Sequence, residues 1–81
     1  MFKNRSNEGK NNLCGERVRF FRLSSVPKLS QRALAVKLQL LGLDVDKNAI
    51  QRIESGQRFV TDIELAAIQA VFNVSFDELL K

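Results

Sequence analysis

The sequence predicts an all-α fold of five short helices, and three observations carry that reading. No stretch alternates apolar and polar residues for more than a few positions, apolar residues recur instead at spacings of three and four, and one helix-start signature appears four times. The only proline, Pro27, falls between two periodic segments.

The first helix is expected over residues 13–25, where Cys14, Val18 and Phe21 form one stripe. Each later helix opens with an apolar residue, then a capping side chain, then a second apolar residue four positions after the cap. These are Leu29-Ser30 with Leu34, Val45-Asp46 with Ile50, Val60-Thr61 with Leu65, and Val74-Ser75 with Leu79. The capping oxygen satisfies an orphan backbone N–H, and the apolar pair staples the entry of the chain. Thr61 with Glu64 and Ser75 with Glu78 have the spacing of full capping boxes. The resulting helices span 30–41, 46–55, 61–72 and 75–80.

Helix two offers Leu34, Ala35, Leu38 and Leu41 to a core, helix three Ile50 and Ile53, and helix four Leu65, Ile68 and Phe72. Phe76, Leu79 and Leu80 are expected to close the bundle. Gly56 is a natural left-handed stop for helix three, and Gly42 is expected to do the same for helix two. The Phe residues of the helices fall among apolar positions, which favours core packing over stacking on bases.

Composition bounds the function. At 81 residues there is room for one domain. The opening MFKNRSNEGKNN is polar, so residues 1–12 read as a disordered basic tail and 13–81 as the folded domain. With no His and a single Cys, the chain cannot build a Cys/His zinc site, a Cys/His nucleophile or an internal disulfide. Cys14 reads as a small core residue. No enzyme, metal, cofactor or small-molecule ligand is expected, and no apolar run suggests a membrane or a secretion signal, which leaves the cytoplasm as the expected location. Residues 1–60 carry 12 Lys/Arg against 5 acids, a net +7, whereas residues 61–81 carry one Lys against four acids, a net −3. A basic body with an acidic end suits a polyanionic partner.

Four blocks in order sharpen this. Gly15-Glu16-Arg17-Val18-Arg19-Phe20-Phe21-Arg22, Leu29-Ser30-Gln31-Arg32-Ala33-Leu34-Ala35, Ala49-Ile50-Gln51-Arg52-Ile53-Glu54-Ser55-Gly56-Gln57-Arg58 and Phe72-Asn73-Val74-Ser75-Phe76-Asp77-Glu78-Leu79-Leu80 together resemble the lambda-repressor and Cro-like (XRE-type) helix-turn-helix regulators. The resemblance spans residues 15–80. It implies a five-helix lambda-repressor-like DNA-binding domain, with helices two and three as the helix-turn-helix and helix three in the major groove of double-stranded DNA.

Carried over to this chain, Asp46 caps helix three, while Lys47, Asn48, Gln51 and Arg52 face outward to read bases. Ser30, Gln31, Gln57 and Arg58 take positions that hold the DNA backbone. Arg22 and Glu54 match a structural ion pair between helices one and three. The chain departs from the pattern by about four extra residues near Leu40-Leu41-Gly42-Leu43, close to one helical turn. A longer helix two or a longer turn is expected, with Leu40, Leu41 and Leu43 covering added core. The resemblance implies a sequence-specific transcriptional regulator, a repressor acting by operator occupancy as a homodimer. It also leaves open a helical protein-interaction module such as an antitoxin or antirepressor.

Overall fold

A computed structural model of the chain describes residues 11–80, so the expected tail lies outside the described residues as far as Lys10. The element order is α1 (Gly15–Ser24), α2 (Gln31–Leu40), α3 (Lys47–Ser55), α4 (Asp62–Phe72) and α5 (Phe76–Leu80), with no strand among the described residues. Each helix lies within its expected span, shortened by the flanking cap residues.

The caps form as their residue types dictate. Ser30 Oγ accepts from Ala33 N–H at 2.9 Å and Asp46 Oδ1 from Ala49 N–H at 2.8 Å. Thr61 and Glu64 satisfy each other's backbone N–H groups, both at 3.1 Å, and Ser75 with Glu78 repeats the box at 2.9 and 3.2 Å. A five-residue helix is too short to persist alone, so this box, the burial of Leu79 and the bond from Arg17 Nε to Glu78 O at 3.1 Å hold α5. α1 starts differently: Cys14 supplies no side-chain cap, and Asn12 Oδ1, two residues earlier, accepts from Gly15 N–H at 2.8 Å.

Val18, Leu34, Leu38, Ile50, Ile53, Ile68 and Leu79 are almost wholly buried, each aliphatic side chain contributing about 1.5–3 kcal/mol. Cys14 joins them, and burial pushes its thiol up to about 11. α3 packs on both α1 and α2, while α4 packs on α1, α2 and α5. The approach of α1 to the end of α3 needs the glycine at 15, because a Cβ there would run into the carbonyl oxygen of Ile53.

Several expectations are corrected. α2 ends at Leu40, and Gly42, with φ +95°, turns the chain beyond it. Gly42 N–H donates to Gln39 O at 2.9 Å and Leu43 N–H to Leu38 O at 3.2 Å, while Gln39 Nε2 braces Val45 O at 2.7 Å. This left-handed turn redirects the chain, so Leu43 and Val45 take the core positions. Leu40, 81% exposed, and Leu41, 53% exposed, therefore point outward and do not cover core. Phe21 and Phe72 pack against the core, but Phe20, Phe59 and Phe76 are about half exposed, and Leu80 is also exposed. Each of these four sits one or more positions off its helix's buried stripe or in a loop.

Candidate nucleic-acid interface

α3 divides sharply into two sides. Ala49, Ile50 and Ile53 are buried, and Lys47, Asn48, Gln51 and Arg52 are all exposed. At about 100° per residue the four exposed side chains share an arc of about 140°, so the structure brings all four base-reading candidates onto one face. Ser55, which is not among the positions the resemblance assigns to base reading, falls inside the same arc and is exposed. The cap occupies Asp46 Oδ1, and Gly56 ends the helix with φ +84°.

Near the C-terminal end of α3, beside the exposed arc, Glu54 forms a junction of three helices. Arg22 Nε and Nη2 donate to Glu54 Oε2 and Oε1 at 2.6 and 2.9 Å, a bidentate pair whose side chains are only 10% and 5% exposed. Arg22 Nη1 also donates to Leu29 O at 3.0 Å, and Gln31 Nε2 donates to Glu54 Oε1 at 3.1 Å. One carboxylate thus ties α1, α2 and α3 together.

The four backbone-holding candidates are placed less uniformly. Ser30 lies exposed at the start of α2, where its oxygen accepts as a cap and its O–H can still donate. Gln31 spends one amide proton on Glu54 and keeps the other. Gln57 is exposed in the loop after α3. Arg58 leans onto α4, with Nη2 donating to Glu64 Oε2 at 2.8 Å and its side chain 29% exposed.

Two residues assigned to the tail belong to this region. Asn11 N–H donates to Gly56 O at 2.7 Å, and its Nδ2 donates to Gln57 O at 2.8 Å. Asn12 Nδ2 donates to Ile53 O at 3.1 Å and to Arg58 O at 2.7 Å. Their polarity looked like more tail; the available signal was that Asn is a capping residue just ahead of a helix.

No group of metal-ligating side chains occurs among the described residues, nor is any helix there long and apolar enough to cross a membrane. No curated protein and no solved structure matches the chain. A family model described as Helix-turn-helix, of the Cro/C1 type, matches residues 28–79, which covers α2 to the penultimate residue of α5. Since that match spans more than half of the chain and includes the capped, outward-facing α3, the protein belongs to the Cro/C1-type helix-turn-helix family of DNA-binding regulators.

Proposed function

We propose that the protein is a sequence-specific transcriptional repressor that binds double-stranded DNA and acts by occupying its operator in the cytoplasm. The observation that carries the reading is the single exposed arc of Lys47, Asn48, Gln51 and Arg52 on a helix buried along its other side. Lys47 and Arg52 have the donors that guanine O6 and N7 accept, and Asn48 and Gln51 can pair with adenine in a bidentate way. Ser30, Gln31, Gln57 and Arg58 supply contacts to phosphate, which fix register without reading sequence. A homodimer matches two half-sites about one helical turn of DNA apart. Phe76 and Leu80, exposed on α5, offer such a contact.

Selection of bound sites from random DNA tests the reading. The parent protein is expected to yield a preferred site bound with a steep salt dependence. Alanine at Lys47, Asn48, Gln51 and Arg52 together should abolish the preference and leave the thermal melt intact. An unchanged preference would show that α3 is not the reader. Sedimentation of a monomer both free and at stoichiometric ratio on a palindromic site would contradict the dimer.

A further inference from the structure

We infer that Asn12, assisted by Asn11, is a positioning residue for DNA binding, holding the loop after α3 in the shape from which Gln57 and Arg58 meet the DNA backbone. This rests on the DNA-binding reading above and adds residues from outside the stretch that the family match covers.

The three successive carbonyls of Gly56, Gln57 and Arg58 each accept a hydrogen bond from this pair of asparagines. The loop's own N–H groups turn the other way: those of Gln57 and Arg58 both donate to Arg52 O, at 2.9 and 3.2 Å. The loop is therefore gripped on one side by the end of α3 and on the other by the segment before α1. Its first half has little apolar anchorage, because Gln57 is exposed, Arg58 is half-buried and Phe59 is about half exposed, and the first side chain to pack on the core is Val60. Polar contacts hold the stretch from Gly56 to Arg58. Asn12 spends its whole amide on the task, accepting from Gly15 N–H and donating to Ile53 O and Arg58 O, so α1, α3 and the loop meet at one side chain.

Without that grip the loop must be ordered at the moment of binding, and the entropy of ordering is subtracted from affinity. Neither asparagine is on the exposed arc of α3. The loss should therefore fall equally on all DNA sequences.

The test is a double-mutant cycle in the full chain, read as DNA affinity at a temperature where melts show every variant folded. Asn12→Ala is expected to weaken binding to the preferred site and to unrelated DNA alike, by about tenfold, with the base preferences kept. In a Gln57→Ala, Arg58→Ala background the same change should cost nothing further. Full affinity in Asn12→Ala, an undiminished tenfold loss in that background, or an altered base preference would each overturn the inference. Asn11→Ala leaves the α1 cap in place and removes only the bond to Gln57 O. It should show a smaller uniform loss with the same non-additivity, and it serves if Asn12→Ala does not fold. A parent protein without salt-dependent, site-preferring binding would sink the DNA reading itself; a parent that binds while the cycle is additive sinks this inference alone.

Discussion

The two ends of α3 are held by different means. Its C-terminal end carries the bidentate Arg22–Glu54 pair, the Gln31 amide, the Asn12 amide on Ile53 O, the contact surface at Gly15 and the left-handed stop at Gly56. Its N-terminal end has the Asp46 cap and the burial of Val45, fed by a turn whose bracing is Gln39 on Val45 O and whose leucines face outward. The direction of α3 is therefore set chiefly from its C-terminal end, remote from the turn at Gly42, and the exposed arc follows.

Breaking what both ends share should have the largest effect. Ile50 is fully buried at the middle of α3, so Ile50→Asp places an unpaired charge in the core. It should cost several kcal/mol, about the whole stability of such a domain, and a cooperative melt by circular dichroism would contradict the packing described. Next comes the C-terminal end alone. Glu54→Gln leaves Arg22 poorly compensated and should cost roughly 3 kcal/mol in denaturant unfolding; a melt within a degree of the parent would mean the pair does not carry the junction. Gly15→Ala forces α1 off the end of α3 and should cost about 1–3 kcal/mol by the same measurement. The N-terminal side should be much quieter: Leu40→Gln is expected to change stability by less than about 0.5 kcal/mol, and a larger loss would show the turn to be more than a spacer.

One further prediction concerns pH. The thiol of Cys14, pushed from 9.0 to about 11 by burial, stays protonated in the fold while the unfolded chain ionises. Stability should therefore fall as pH rises from about 9 to about 11, and Cys14→Ala should remove that part of the decline in a series of melts.

Much of this was legible in the chain, and the reasons are physical. Capping and stapling are local and depend on residue type, so all four starts, from Ser30, Asp46, Thr61 and Ser75, lie where their residues put them. The outward arc of α3 follows from the burial of Ala49, Ile50 and Ile53 at helical spacing. The misjudged positions depend on where the chain goes after a helix ends. Leu40 and Leu41 look like core by type, and only the reversal at Gly42 turns them to solvent. The carboxylate partners of Arg58 and Gln31, Glu64 and Glu54, come from helices that the local sequence does not place beside them, which leaves the assignment of both residues to the DNA backbone as it was. Asn11 and Asn12 act across more than forty residues, a distance at which composition carries no signal.

The burial of Cys14 gives the protein a silent background for site-specific labelling. A thiol that stays protonated up to about pH 11 and lies out of reach of solvent will not compete for maleimide or iodoacetamide at neutral pH. A cysteine introduced as Leu40→Cys, on a side chain 81% exposed, would lack the burial that raises Cys14 and take the dye alone. A fluorophore there would sit in the turn that feeds α3, where fluorescence transfer to an end-labelled duplex could follow docking without a second mutation.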